Sequence, residues 1–471
     1  MTKELVLIPE ALVLATALLL LLAGRFGGVP PSLRPQLPAL VAGVVLIALV
    51  LELWLGATLA SLFDGGFVQD RFALFAKAAV LLAAGTAIAV ADWSAEDSVS
   101  VGLAMQLLAA FGVMVAASAG DFVGLWAGLE LAAAAGVVLV GLRRPDLGLR
   151  LLVAGGVATA LLGIGFAFVY ATAGTADLFL IRGAMELAGP TVPLAVPVLL
   201  LLGGLAVRAS IAPFHIASIP AALGATPLGA GLVLGLVAAG AFIVAIKVVA
   251  VLSPVPQVFS TYLAVIAAVA MVGGGAAALA VRAPRARLAY LAVSQAGWVA
   301  AGLATNYRDG LAGALFLVGA FTLAAACGPV VLGGVEGGEA SLAGMGALRP
   351  ARAAGIAIAF LSLAGAPPLA GFFGEFAVAA ALAQGGHFEL LALGVLGSVL
   401  SVAAALGTLR VLYIQSPPEE ARRGGGLALP ALTALSTAGA VALFVVIAAY
   451  GVFGNPIFGL AFQGAEALGL R

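Results

Sequence analysis

Apolar runs of about 20 residues, the length of a helix that crosses a bilayer, follow one another along nearly the whole chain. Of its 471 residues, 63% are hydrophobic and 9% are charged, whereas soluble domains carry about 25% charged residues. The sequence therefore predicts an all-α polytopic membrane protein with about 14 transmembrane helices. The runs lie at 4–24, 38–60, 70–91, 100–118, 120–141, 148–173, 194–217, 227–250, 258–281, 287–304, 308–334, 353–382, 388–413 and 427–453.

The remaining composition excludes several functions. The formal net charge is zero and no basic or acidic run is present, so we expect no nucleic-acid partner. The single Cys327 excludes an internal disulfide, and with only two histidines a metal site or an iron–sulfur cluster is not expected in this chain. Glu4 and Glu10 flank the first apolar run, which favours a retained helix over a signal peptide.

The arginines predict the orientation in the membrane. They gather in the loops that follow odd-numbered helices, so the positive-inside rule places both termini on the outer side of the cell's inner (plasma) membrane. These arginines are Arg25, Arg34, Arg143, Arg144, Arg282, Arg285, Arg287, Arg349, Arg352, Arg422 and Arg423.

Two apolar segments are interrupted by proline, one at Pro213 and one at Pro367–Pro368. A broken helix in hydrocarbon frees backbone groups, so such breaks persist only where protein or trapped water can satisfy them. The breaks fall in the fourth helix of two five-helix blocks, 100–250 and 251–413, and an odd helix number gives the blocks inverted topology. Residues 1–99 form a three-helix segment, and 414–471 a C-terminal helix.

Ionisable residues inside the membrane are candidates for function because each costs about 3 kcal/mol on insertion scales. Glu130 has apolar or small neighbours on both sides. Hydrocarbon favours the neutral form of its carboxyl and a nearby cation the charged form, which is how a proton site is tuned. Arg208, five residues before Pro213, is the best counter-charge, and arginine acts as a fixed charge because it stays protonated. A carboxyl that only packs helices remains an alternative for Glu130.

Two further residues lie beside the breaks. His215 could hand over protons, or it could cap backbone exposed by the break. Glu375, seven residues after Pro368, has no cation in its own segment and is interpreted as an exit-side proton site. Gln295 cannot titrate and could only orient water.

Other charged residues favour structural roles. Lys77 is expected to pair with Asp70 or with a neighbouring helix, and Glu10 and Glu52 to make helix contacts. Lys247 and Arg410 lie near helix ends, where their side chains are expected to reach towards the membrane surface.

Six strings carry a resemblance that covers nearly the whole chain. Taken together, in order and at their spacing, they resemble the N-subunit family of bacterial NADH:quinone oxidoreductase (respiratory complex I), one of three antiporter-like membrane subunits in that complex. The strings are 68–77, 117–131, 212–215, 224–227, 287–290 and 361–376.

The resemblance implies a proton-translocating, non-redox subunit of an enzyme complex, with two inverted half-channels joined by a hydrophilic axis. Glu130 matches the family glutamate of the fifth helix, Arg208 the lysine of the seventh, Arg150 a lysine at the start of the sixth, and Glu375 the charged position of the broken twelfth. No cofactor is implied for this chain; NADH, flavin, iron–sulfur clusters and quinone are expected in partner subunits. The implied partners are the other membrane subunits, sister antiporter-like subunits among them, and the lipid bilayer.

The sequence also departs from the family pattern. Lysine is usual at the position of Glu375, the eighth-helix lysine falls on Val237, and the tenth-helix histidine is Gln295. The alternatives left open are a related cation/proton antiporter or membrane-bound hydrogenase subunit, a non-conducting scaffold, and a secondary transporter for a small solute.

Overall fold

The structure is a computed structural model that describes residues 3–26, 30, 32–93, 98–189, 192–333, 339–417 and 434–469. Its described part is helical apart from one antiparallel hairpin, β1 (Ala60–Leu62) and β2 (Phe67–Gln69). The helices are α1 (Ile8–Phe26), α2 (Leu37–Leu55), α3 (Arg71–Val90), α4 (Val99–Ser118), α5 (Phe122–Arg143), α6 (Pro145–Ala173), α7 (Leu178–Ala188), α8 (Val192–Arg208), α9 (Ser218–Gly224), α10 (Pro227–Gly231), α11 (Ala238–Leu252), α12 (Ser260–Ala280), α13 (Pro284–Ala304), α14 (Arg308–Leu332), α15 (Met345–Leu348), α16 (Pro350–Leu363), α17 (Ala370–Gln384), α18 (Phe388–Tyr413), α19 (Ala434–Val452) and α20 (Gly454–Ala467).

Ten helical stretches in the described ranges are long and apolar enough to span a membrane by themselves. The chain is therefore an all-α membrane protein, as the apolar runs predict. One of these spans, Pro227–Leu252, joins α10 and α11 through a π-helical segment, Leu232–Val237. The apolar stretches of this span and of α14 are fully buried, so they form the centre of the bundle.

Short polar side chains start several of the helices. Asp70 accepts a hydrogen bond from the backbone N–H of Ala73 at 2.7 Å, and Asp121 accepts one from Gly124 at 2.7 Å. Each carboxylate satisfies an N–H group that has no partner within its helix. In a membrane such caps fix the residue at which α3 and α5 begin.

Small residues let the central helices approach closely. A Cβ atom on Gly235 would lie 2.5 Å from the backbone of Ala326 in α14. Such contact between backbones is how membrane helices gain packing energy where no hydrophobic force drives them together. The many glycines of the sequence serve this function at the α4–α5 and α12–α13 contacts as well.

The helices are interrupted at both predicted positions. Helix α8 ends at Arg208 and α9 begins at Ser218, while α16 ends at Leu363 and α17 begins at Ala370. The two breaks share a backbone path, because the hydrogen bonds Ile211 N–H to Ala206 and Phe214 N–H to Ile211 recur 155 residues later. The recurring bonds are Ala366 N–H to Leu361 and Leu369 N–H to Ala366.

Other elements differ from the sequence predictions. Helix α7 lies in the stretch predicted to be a loop, and α20 follows α19 at an angle of 75°, so the C-terminal segment holds two helices rather than one. The hairpin was not predicted either, because its strands are only three residues long. The predicted residues 427–433 of the last span lie outside the described residues.

Candidate functional site

Glu130 on α5 and Arg208 at the end of α8 form an ion pair. Arg208 Nη2 donates to Glu130 Oε2 at 2.6 Å and to Thr159 Oγ1 of α6 at 2.9 Å. The side chain of Arg208 is 8% exposed and that of Glu130 is 29% exposed. The predicted pairing of Glu130 with a cation is thus confirmed for Arg208, whereas Arg150 is exposed on α6 and forms no ion pair with Glu130.

A cavity of about 30 Å³ lies on the Arg208 side of this pair. It has room for about two water molecules. Polar wall groups come from Arg208 and from Ser210 and Ser218 of the break, whereas the π-helical segment contributes Val233 and Val237. The valine at the position of the family's eighth-helix lysine therefore faces the same space as Arg208.

His215 lies in a short 3-10 turn within the first break. Its ring packs edge to face against Tyr290, with 5.8 Å between ring centroids. Its buried Nδ1 has no hydrogen-bond partner in the part of the chain that the structure describes. The ring therefore does not cap the broken helix through Nδ1, and the backbone carbonyl of His215 instead accepts from the Ser218 hydroxyl at 3.3 Å.

Glu375 is buried on α17 and is held by a hydroxyl. Ser398 of α18 donates to Glu375 Oε2 at 2.6 Å, and the Trp298 indole N–H of α13 donates to Ser398 Oγ at 2.9 Å. Among the described residues, the Glu375 carboxyl has no charged neighbour. The sequence shows no cation in the segment of Glu375, and the described neighbours from other helices add none.

The second break shapes the surroundings of Glu375. Gly365 has φ = +70°, and a Cβ atom there would overlap both carboxyl oxygens of Glu375. Gly386 has a similar φ of +74°, but a Cβ atom there would meet nothing within 4 Å. A comparison of substitutions at the two glycines therefore distinguishes the cost of a left-handed backbone from the cost of displacing the carboxyl of Glu375.

Gly365→Ala should destabilise the chain more than Gly386→Ala does. Both substitutions cost about 1 kcal/mol for a left-handed backbone, and Gly365→Ala adds about 1–3 kcal/mol because it displaces the carboxyl of Glu375. Unfolding of the purified chain in mixed detergent micelles measures the difference. Equal losses in both variants would show that the carboxyl can move without cost.

Gln295, at the family's histidine position, is fully buried on α13. Its side-chain amide donates to the carbonyl of Ser362 at 2.9 Å. Ser362 lies in the last turn of α16, where the break leaves carbonyl groups without helical partners. Gln295 therefore satisfies backbone at the second break.

Lys247 does not reach the membrane surface, so the predicted orientation of its side chain is wrong. The residue is 4% exposed, and its ammonium donates to the carbonyl of Ala119 at 2.7 Å and lies 5.4 Å from the centre of the Phe72 ring. The reason is that α11 ends inside the bundle, whereas Arg410 on the peripheral α18 is exposed as predicted. Lys247 caps the carboxyl end of α4.

Lys247→Met should lower the free energy of unfolding by about 2 kcal/mol, because it leaves a buried carbonyl without a donor. Arg410→Met, which removes an exposed cation, should change it by less than about 0.5 kcal/mol. Unfolding of both variants in mixed detergent micelles gives the comparison. A loss as small for Lys247→Met as for Arg410→Met would contradict the capping role.

A second cavity, also of about 30 Å³, lies where the two predicted blocks meet. Helices α8 and α11 line one side, and α12 and α13 the other. The lining residues are all apolar: Leu202, Leu205, Ala206, Ala209, Ile211, Ala241, Phe242, Ala245, Leu263, Ile266, Ala300 and Leu303.

Thr159 and Ser398 were missed by the sequence analysis. Each is a hydroxyl that contacts a candidate charged residue, Arg208 or Glu375. The available signal was a lone hydroxyl in a long apolar helix. That signal is weak because such hydroxyls also bond to their own helix, as Thr159 does with Gly155.

Comparison with known proteins identifies the family. Residues 119–401 match the model described as NADH:quinone oxidoreductase/Mrp antiporter, TM. The chain therefore belongs to the family of membrane subunits shared by NADH:quinone oxidoreductases and Mrp antiporters. It is 30% identical over 463 residues to NADH-quinone oxidoreductase subunit N of Rhodospirillum rubrum, with 93% of each chain covered. It is 31% identical over 424 residues to the subunit of the same name from Granulibacter bethesdensis, with 86% of this chain and 87% of that one covered.

Solved structures share the fold. A chain of respiratory complex I from Thermus thermophilus has a TM-score of 0.81 at 24% identity, with 97% of this chain and 100% of that chain covered. A chain of the Mrp complex from Dietzia sp. DQ12-45-1b has a TM-score of 0.82 at 22% identity, with 99% and 98% covered.

Proposed function

We propose that this chain is the N subunit of an NADH:quinone oxidoreductase, an antiporter-like subunit that translocates protons and carries out no redox step itself. The observation that most supports this proposal is the Glu130–Arg208 pair, which lies at a helix break beside a cavity that has room for water. The full-length similarity to subunits of that name supports the assignment. Quinone reduction, in partner subunits, drives the translocation.

We infer a span count of fourteen and two inverted repeats. Ten single spans, α13, the two interrupted helices and the bent α19–α20 pair add up to fourteen. The same hydrogen-bond pattern recurs in the two breaks at a constant separation of 155 residues, which supports a repeat. Each repeat has five spans, so the repeats enter the membrane from opposite sides.

In the first repeat Glu130 is the group that takes up and releases the proton. Arg208 remains charged at any accessible pH and biases the carboxyl electrostatically. Water in the adjoining cavity brings the proton to this pair through Ser210 and Ser218. His215 takes part in proton transfer at the break. Arg150 is exposed and acts only as a distant fixed charge.

In the second repeat Glu375 is the proton-carrying group on the exit side. It has no charged neighbour in the described ranges, and the hydroxyl of Ser398 holds it in place. The family usually has lysine here, so the site has exchanged a base for an acid that serves the same transfer. Gln295, which bonds backbone, carries no proton.

The partners follow from this assignment. We expect other membrane subunits, sister antiporter-like subunits among them, in the cell's inner membrane with both termini outside. NADH, flavin, iron–sulfur clusters and quinone would bind in partner subunits; the one cysteine and two histidines of this chain are too few to hold an iron–sulfur cluster.

A non-conducting scaffold is the second candidate, and one observation favours it. The cavity where the two blocks meet is lined by apolar residues alone, and Val237 stands at the family's lysine position in the wall of the cavity beside Arg208. In this account, the chain relays an electrostatic change through the membrane part of the complex but does not itself carry protons. A subunit of an Mrp-type antiporter is the related alternative, because the fold is equally similar to one.

Purification of the tagged chain in mild detergent tests the assignment. We expect hydrophilic dehydrogenase subunits and a quinone-reducing module to copurify, with NADH-driven acidification of vesicles that contain the complex. Copurification of membrane subunits alone, with cation/proton exchange that needs no NADH, would contradict the proposal and favour the antiporter.

A further inference from the structure

Four side chains of the N-terminal segment form a buried charged cluster outside both repeats. Lys77 of α3 forms ion pairs with Glu10 of α1 and, at 3.9 Å, with Glu52 of α2. Its ammonium also donates to Gln69 Oε1 at 2.6 Å, and the Gln69 amide donates to Glu52 Oε1 at 2.8 Å. The ring of Phe67 covers the ammonium at 4.8 Å. We call these four residues, Glu10, Glu52, Gln69 and Lys77, the N-terminal cluster.

The cluster is almost entirely buried and leaves acceptors unused. The side chains of Lys77 and Glu52 are 0% exposed, and that of Glu10 is 7% exposed. Glu10 Oε2 and Glu52 Oε2 are buried and have no hydrogen-bond partner among the described residues. Buried carboxyl oxygens without donors are costly as anions.

The charges do not balance if both carboxyls are ionised. Two carboxylates would face one ammonium, leaving a net negative charge in a low-dielectric interior. Carboxylates that share a buried site do not both stay ionised, and the proton then belongs to the pair rather than to one residue. A single added proton makes the cluster neutral.

No second cation forms an ion pair with Glu10 or Glu52 among the residues that the structure describes. Helix α4 and strand β2 carry no titratable side chain. Arg308 and Glu466 pair with each other at 2.9 Å on α14 and α20, and Tyr450 of α19 donates to the carbonyl of Phe316. Lys247 is bonded to Ala119. The remaining groups are Lys3 and Glu4, which are exposed, Arg25 at the exposed end of α1, Asp70, which caps α3, Arg71 at the start of α3, and Asp309 and Cys327 on α14.

We propose that the N-terminal cluster is a proton-binding site in which Glu10 and Glu52 share one exchangeable proton against the fixed charge of Lys77. A metal cation is not the ligand, because the ammonium of Lys77 already occupies the point between the carboxyls. Glu10 keeps a small exposed fraction, so exchange with the surface passes through Glu10. The site lies outside the Glu130 and Glu375 path, and it stands whether or not the chain conducts protons.

Infrared spectroscopy of the purified full chain tests this site. The chain is labelled with ¹³C at glutamate carboxyls, and the band of protonated carboxyl groups is compared between variants. Glu10→Gln and Glu52→Gln should each lower the band by the intensity of one protonated carboxyl group. The reason is that the remaining carboxylate then pairs with Lys77 and needs no proton. Exposed Glu4→Gln is the matched control and should leave the band unchanged. Persistence of the full band in either single variant would overturn the proposal.

Lys77→Gln gives an independent test, because it should strengthen the protonated band rather than weaken it. Without the ammonium both carboxyls should become neutral, so the protonated band should gain the intensity of one carboxyl. An unchanged band would overturn the shared-proton arrangement, even if the two glutamine variants could not be purified.

Discussion

Arg208→Met should lower the free energy of unfolding by about 2–3 kcal/mol and stop proton transfer through Glu130. Breaking a fully buried ion pair costs about 3–5 kcal/mol, and the partial exposure of Glu130 reduces this figure. The substitution also removes the donor to Thr159. Unfolding in mixed detergent micelles and acidification by reconstituted complex measure the two effects.

Two variants serve as controls for that result. Arg208→Lys keeps a cation beside Glu130 and should cost no more than about 1 kcal/mol. Arg150→Met removes an exposed arginine and should leave stability nearly unchanged. If Arg208→Met is as stable as Arg150→Met, the ion pair does not hold α5 and α8 together.

Glu375→Lys should be the most damaging single substitution in the second repeat, with a loss of about 3–5 kcal/mol. It restores the usual family residue, but the described part of the chain offers no acidic side chain to pair with the new ammonium. Glu375→Gln retains a partner for Ser398 and should cost less than about 1 kcal/mol, while it lowers pumping because an amide cannot release a proton. Unfolding measurements and vesicle acidification separate the two variants.

Equal stability of Glu375→Lys and Glu375→Gln would contradict this account. It would mean that the lysine finds an anion or reaches the membrane surface from this position. In that case the departure from the family residue has no structural cost, and Glu375 is not a buried acid.

The sequence was sufficient for the membrane class, for both helix breaks and for the Glu130–Arg208 pair. Hydrophobic length and proline chemistry act locally, and Arg208 is the only lysine or arginine in the apolar run 194–217, so these features could be predicted without tertiary structure. The environment of Lys247 could not be predicted from the sequence, because a lysine near a helix end reaches water only if that helix lies at the edge of the bundle. Which helix lies at the centre depends on packing among all of them.

The N-terminal cluster shows the same limit. Glu10, Glu52 and Lys77 are each isolated in an apolar run, and no local pattern joins them. They meet because α1 and α3 place these residues near their beginnings and α2 near its end. The sequence predicted that these residues contact neighbouring helices. The structure shows that the helices are α1, α2 and α3 and that the contacts bring two carboxyls to one ammonium.

The number of protons moved for each NADH oxidised, measured in vesicles that contain the purified complex, tests the central claim most directly. Glu130→Gln should lower this ratio while the rate of NADH oxidation in uncoupled vesicles stays the same. The matched control is Glu389→Gln, an exposed glutamate at the start of α18, which should leave the ratio unchanged. A ratio in Glu130→Gln equal to that of the wild type would contradict proton translocation through this subunit.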